Sequence, residues 1–260
     1  MFGICRCHYR QYGIVVIRLG LKEFVKAARD ILFPLPCIGC GAGLPPGREI
    51  SLCPACRQDV RLLLQPFCTR CGMPFDHAAG ENHLCSRCLS GGWHFRQARA
   101  VVQYRPPVTA AVKNFKYRGK MHGLATFAAL TEQYFERQTL KPPDVVIPVP
   151  LHPKRLRQRG FNQALVLCRK LLPDWQHIID PHVLVRHHWI RPQTGLNGAE
   201  RRRNVRNAFR VRRAGHIRDK KILLVDDVFT TGATVNECAR VLMKNRAAGV
   251  DVFTFARVVD

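Results

Sequence analysis

From residue 93 onward the chain alternates short apolar runs with stretches whose apolar positions recur at helical spacing. Residues 100–104 read as a strand, 145–149 as an uninterrupted apolar run between prolines, 222–225 as a second such run and 250–259 as a closing strand. Between them, 106–115, 124–137, 162–172 and 234–245 carry the spacing of helices with one buried face. Runs that are apolar throughout belong to strands covered on both sides, and strands separated by helices are joined by crossovers. The pattern predicts an α/β fold with a parallel sheet over 93–260. Before the Gly91-Gly92 break the pattern is absent. Residues 34–92 are short-looped and cysteine-rich, and 1–33 form an N-terminal extension without an interpretable motif, in which 19–32 could make one amphipathic helix.

A hydrophobic content of 47% is enough for a packed core, which excludes wholesale disorder. The charge balance is lopsided: 42 Lys and Arg against 18 Asp and Glu leave +24. Such a surface attracts nucleic acid, polyphosphate or phosphorylated small molecules, or it is simply a basic, soluble exterior. No apolar run approaches the ~18–20 residues that cross a bilayer. The run at 14–17 is too short for a secretion signal and is followed at once by Arg18, so no membrane insertion and a cytoplasmic location are expected. In that compartment the twelve cysteines need an explanation other than structural disulfides.

Eight of them supply it. Cys37/Cys40, Cys53/Cys56, Cys68/Cys71 and Cys85/Cys88 are four Cys-x-x-Cys pairs, separated by 12, 11 and 13 residues. Two residues between thiolates let both sulfurs of a tight turn face one ion, and a second such turn completes a tetrahedron. Two structural Zn²⁺ ions follow. The consecutive pairing places Cys37, Cys40, Cys53 and Cys56 on one ion and Cys68, Cys71, Cys85 and Cys88 on the other, whereas an interleaved pairing uses the same ligands. A redox role calls for a single pair at a helix start, unlike four repeats. His77 and His83 read as loop residues, and Cys168 and Cys238 as small core residues; the spacing of Cys5 and Cys7 supports no site.

The stretch 221–234 carries the densest chemistry. An apolar strand delivers Asp226 and Asp227 to its carboxyl end, where ligands bind in open α/β sheets. Two adjacent carboxylates would repel each other unless a hydroxyl-rich or metal-bearing partner separates them. Val228, Phe229, Thr230, Thr231, Gly232, Ala233 and Thr234 then turn into a helix, bringing backbone N–H groups, hydroxyls and the helix dipole around one anion. A ribose bearing a 5′-phosphate satisfies both halves. A Walker A loop is excluded, because Thr231-Gly232-Ala233 lacks the lysine.

This string closely resembles the phosphoribosyl-diphosphate (PRPP) motif of type I phosphoribosyltransferases. Val146-Ile-Pro-Val-Pro150 with His152, Arg155 and Arg159-Gly160-Phe161-Asn162-Gln163 resembles the first strand and pyrophosphate loop of the ComF/GntX family. So do Pro192–Leu196, Glu200–Val205 and the zinc-ribbon start; Ile190-Arg191 departs from the family's usual threonine before Pro-Gln. The resemblance implies that Asp226 and Asp227 hold the ribose hydroxyls, directly or through Mg²⁺, and act as the catalytic pair. It also implies that Thr230–Thr234 hold the 5′-phosphate, and that the backbone at Pro150 approaches the pyrophosphate with Arg155 and Arg159 neutralising it. Those two arginines could equally form a solvated basic loop. Gln193, Arg202 and Asn204 fall where relatives carry a mobile loop, followed by an arginine-rich run to 213 that either closes over pyrophosphate or contacts DNA. Lys116 and Arg118, at a loop before Gly119, are further anion contacts.

Three functions compete: an enzyme transferring phosphoribose to an acceptor, an accessory factor for DNA uptake that binds single-stranded DNA or competence-machinery proteins, and a PRPP sensor. The few aromatic residues in the ribbons do not define a base-reading surface, no helix-turn-helix is evident, and no side chain stands out as a general base. Oligomeric state is not legible.

Overall fold

The computed structural model describes residues 35–45, 48, 50–75, 80–118, 121–188 and 205–259. Along the chain the strands are β1 (Gln97–Gln103), β2 (Val145–Pro148), the short β3 (Leu184–Arg186) and β4 (Phe209–Val211), then β5 (Lys221–Phe229) and β6 (Gly249–Arg257). The helices are α1 (Pro54–Asp59), α2 (Ser86–Leu89), α3 (Val108–Arg118), α4 (Leu124–Phe135), α5 (Pro153–Arg159), α6 (Gln163–Leu171) and α7 (Ala233–Lys244). The expected α/β architecture is present: β1, β6, β5 and β2 form one parallel sheet in that order, and β3 pairs antiparallel with β4.

All nine residues of β6 are buried, as a central strand requires. Asp251 survives there because Arg96 grips its carboxylate at two points, 2.9 and 3.1 Å. Along β5 the side chains alternate between faces. Ile222 and Leu224 pack with Val235, Cys238 and Leu242 of α7 and with Leu184 and Phe209. Leu223 and Val225 pack on the other face with Phe115, Phe127, Leu167 and Phe255. The Phe127 and Phe255 rings meet at 4.1 Å, and each such ring contributes about 1.5–3 kcal/mol by its burial.

The cysteine-rich segment is part of both cores. Cys37, Ile38, Leu52 and Cys56 belong to the α3–α4 face, whereas Cys68, Cys71 and Cys88 belong to the α7 face. The chain between them runs along the outer edge of β1: Leu63 N–H donates to Val101, Gln103 N–H to Arg61 and Ala98 N–H to Arg70. This covers an edge that would otherwise present unpaired backbone groups.

Three features depart from the sequence reading. Strand β5 continues past Val225 to Phe229, because β6 still pairs with it after β2 has ended. Helix α5 was not expected: it has no buried residue, so no apolar periodicity marks it, and its ends are set by the His152 cap and the left-handed Gly160. The three-residue strands β3 and β4 are too short to leave a pattern.

Candidate functional site

Strand β2 pairs with β5 only as far as Pro148 against Val225, closed by the Val149 N–H on the Val225 carbonyl at 2.8 Å. From Asp226 on, β5 has no strand partner on that side among the described residues, and its end lies beside the loop leaving β2. Asp226 and Asp227 are successive strand residues and so follow opposite faces of the sheet. Adjacent in sequence, they are set apart by the pleat.

Lys116 is the nearest cation to the pair and acts on both carboxylates. Asp227, 9% exposed, forms an ion pair with Lys116 Nζ at 2.8 Å. Lys116 lies inside the last turn of α3, not on a loop as the sequence suggested. Asp226 accepts the Asp227 N–H at 2.9 Å. Burial, then the Asp227 charge, push its pKa up to about 7; the charges of Lys116 and Arg186 oppose this. Arg186, from β3, has a buried Nε without a partner among the described residues, and its guanidinium lies 5.5 Å above the Phe209 ring.

After Phe229 the chain turns through Thr230 and Thr231 to Gly232, which caps α7 with φ +74°. A Cβ there would lie 2.5 Å from Phe229 Cζ and 2.9 Å from Trp93 Cζ3, so both conformation and space demand glycine. Thr231 Oγ1 faces the Ala233 N–H at 3.4 Å. Helix α7 has no acidic residue in its first turn, leaving its positive end free for an anion.

Beside the end of β5 runs the loop from Val149 and Pro150 to His152, followed by α5. Asn162 donates to the Val149 carbonyl at 3.2 Å and accepts the Ala164 N–H at 3.0 Å, fixing the loop to the start of α6. Arg155 and Arg159 are one helical turn apart on α5. Arg159 covers the Tyr117 ring at 4.9 Å and is close enough to Asp227 to interact with its charge. The pKa of His152 is lowered first by burial, then by the charges of Arg186, Lys154 and Arg157. The charge of Arg186 thus acts on both Asp226 and His152. Sequence reasoning missed it, since one arginine in a three-residue strand has no local signature. Gln193, Arg202 and Asn204 lie outside the described residues, as do Cys5, Cys7 and His77.

The eight pair-forming cysteines gather into two groups, Cys37/Cys40/Cys53/Cys56 and Cys68/Cys71/Cys85/Cys88, with sulfurs in each within 4.8 Å of one another. This settles the pairing as consecutive. His83 stacks on Phe75 at 4.0 Å and takes no part. Burial raises the Cys68 thiol, but N–H groups of Cys85, Cys71 and Arg70 outweigh it and bring it down to about 6; Cys37 reaches about 6 in the same way. The donor set fits structural zinc, four sulfurs leaving no open position. A second observation agrees. Arg257, 1% exposed, donates to the Cys71 carbonyl at 2.6 Å and directs Nη2 at Cys71 Sγ, 3.6 Å away. A buried guanidinium needs an anion, and zinc with four thiolates carries a net double negative charge.

Family models match twice: a double zinc ribbon domain over residues 28–89 and a phosphoribosyl transferase domain over 169–258. DNA utilization protein YhgH of Escherichia coli O157:H7 is 34% identical over 215 residues, covering 80% of this chain and 91% of its own. Competence protein F of Haemophilus influenzae is 29% identical over 235 residues, covering 86% and 98%. Among solved structures, glutamine PRPP amidotransferase from B. subtilis aligns at 18% identity with a TM-score of 0.32, over 54% of this chain and 30% of that one. Among the described residues no helix is long and apolar enough to cross a membrane. With two tetracysteine groups on a parallel phosphoribosyltransferase-type sheet, the chain belongs to the ComF family, alongside YhgH and competence protein F.

Proposed function

We propose that the chain binds PRPP, with Mg²⁺, at the carboxyl end of β5, and that it serves the uptake or use of external DNA. The observation that carries the binding assignment is the succession of two carboxylates and a glycine-capped helix N-terminus on one open strand end. Asp226 and Asp227 accept from the ribose hydroxyls; Thr230–Thr234 receive the 5′-phosphate; Arg155 and Arg159 face the pyrophosphate from α5. Carboxylate oxygens are the ligands a hard divalent cation prefers, and Mg²⁺ when bound would spread the diphosphate charge. Lys116 pairs with Asp227 at 2.8 Å, and the charges of Lys116 and Arg186 favour the ionised form of Asp226. In a transfer reaction the bond from C1′ to pyrophosphate breaks with oxocarbenium character, and cations ahead of the departing oxygens supply the main stabilisation.

The DNA role comes from the names of the two relatives and from the +24 charge. None of the ten described cysteines is in a disulfide, which supports a cytoplasmic site of action. A second reading is a non-catalytic factor holding single-stranded DNA or competence proteins, with the pocket as sensor or scaffold. The exposed basic face of α5 favours it: Lys154 and Arg157 point away from any core.

The test is calorimetric titration of PRPP with Mg²⁺ into zinc-replete wild type and the Asp226→Asn/Asp227→Asn variant. Saturable binding in the first and none in the second supports the assignment; equal affinity contradicts it. DNA binding that weakens with salt, without PRPP binding, would favour the second reading.

A further inference from the structure

The second zinc ribbon reaches the phosphate loop directly. Arg87, between Cys85 and Cys88, donates through Nη2 to the carbonyl of Thr231. Its guanidinium lies 5.2 Å from the centre of the Trp93 ring, and Trp93 in turn fills the space beside Gly232. Asn236, in the first turn of α7, donates to the Gly92 carbonyl at 2.8 Å and accepts the His94 N–H at 2.7 Å. Arg257 joins Cys71 to Phe229, whose ring it covers at 4.5 Å. Metal-binding turn, phosphate loop and helix start are thus bound into one unit by four side chains.

The Thr231 contact has a particular consequence. The Thr231 carbonyl and the Gly232 N–H share one planar trans peptide and point in opposite directions. Pinning the carbonyl toward the ribbon aims the N–H toward the anion site at the start of α7. A free loop would spend part of its binding energy ordering this peptide. Among the described residues the first ribbon has no such reach: its hydrogen bonds run to α3, α4 and the turn before α4, through Asn114, Thr126 and the His122 carbonyl.

We infer that the second ribbon is a working part of the 5′-phosphate cradle, with Arg87 as its positioning residue, so that zinc at Cys68/Cys71/Cys85/Cys88 and ribose phosphate stabilise each other. The inference rests on the ribose-phosphate reading above. By linkage the coupling is reciprocal: what the metal gives to phosphate affinity, bound phosphate returns to the metal.

Two measurements on the full, zinc-loaded chain test it, with ribose 5-phosphate and Mg²⁺-pyrophosphate as separate probes. Arg87→Ala should weaken ribose 5-phosphate by about tenfold, the scale of a lost hydrogen bond in a charged setting. Its zinc content and pyrophosphate affinity should stay at the wild-type level, and Arg87→Lys should restore part of the loss. In wild type, the affinity for one zinc of the two, read by chelator competition at equilibrium, should rise by about five- to a hundredfold when ribose 5-phosphate is saturating, the range of ordinary coupling energies. Unchanged ribose 5-phosphate affinity in Arg87→Ala, an equal loss for pyrophosphate, or zinc affinity indifferent to ribose 5-phosphate would each overturn the inference. Failure of wild type to bind ribose 5-phosphate at all would instead remove the underlying site assignment, and the inference with it.

Discussion

The two zinc ribbons share ligand type, spacing and pairing, yet they sit in different physical settings. The first has an exposed Cys40 and a partly exposed Cys53, and it packs against α3 and α4. The second is more deeply buried, carries Arg257 against its sulfur and holds the phosphate loop through Arg87. Identical sequence patterns thus have two settings: one fastens the chain to the α3–α4 face, and the other is tied to the turn at Thr231. What separates them is not the ligands but the cations that surround them.

Metal removal should break the symmetry most strongly. Cys68→Ser with Cys71→Ser strips the anionic partner from Arg257, and an uncompensated buried charge costs about 3–5 kcal/mol. The chain should lose a large part of its thermal stability and its ribose-phosphate binding together. Cys37→Ser with Cys40→Ser should release one zinc and lower the melting temperature, yet leave a folded β5 site that still binds. Metal analysis, thermal melts and ligand titration on both variants check the pair; equal loss of binding in the two would erase the distinction.

A smaller effect is expected at the loop. Gly232→Ala must place a Cβ against Phe229 and Trp93 at positive φ, a strain of about 1–3 kcal/mol. Ribose 5-phosphate affinity should fall while both zinc ions stay bound.

A further effect concerns pH. The folded-state pKa of Asp226, about 7, lies above its ordinary value, so the folded chain holds a proton that the unfolded chain releases between that value and 7. Ligand-free stability should therefore decrease as pH rises toward 7 and level off beyond it. Asp226→Asn should flatten that slope and melt higher than wild type near about pH 8. Parallel slopes in melts of the two proteins would refute the assignment.

Much of this was legible because the signals are local. Cys-x-x-Cys pairs, apolar strands and the Asp226–Thr234 stretch each declare themselves within a dozen residues. Even there, the choice between consecutive and interleaved zinc pairing needed the fold. The long-range cations were largely hidden: with 42 Lys and Arg, nothing in the sequence distinguishes Arg87, Arg186 or Arg257 from solvated charges, and Lys116 was marked as an anion contact without its partner Asp227. Their roles arise from chain segments far apart that the sheet brings together. A strand turns Asp226 and Asp227 to opposite faces, yet the Asp227 charge still raises the Asp226 pKa, second only to burial, so the expected repulsion persists across the pleat.

The most direct test of the account is phosphorus NMR of PRPP with Mg²⁺ titrated into the zinc-replete chain, read separately at the 5′-phosphate and the diphosphate. The account predicts saturable shifts at both groups, with the 5′-phosphate response lost in Gly232→Ala while the diphosphate response persists. Resonances that never move, or a 5′-phosphate response indifferent to Gly232, would contradict a ribose-phosphate site at the end of β5.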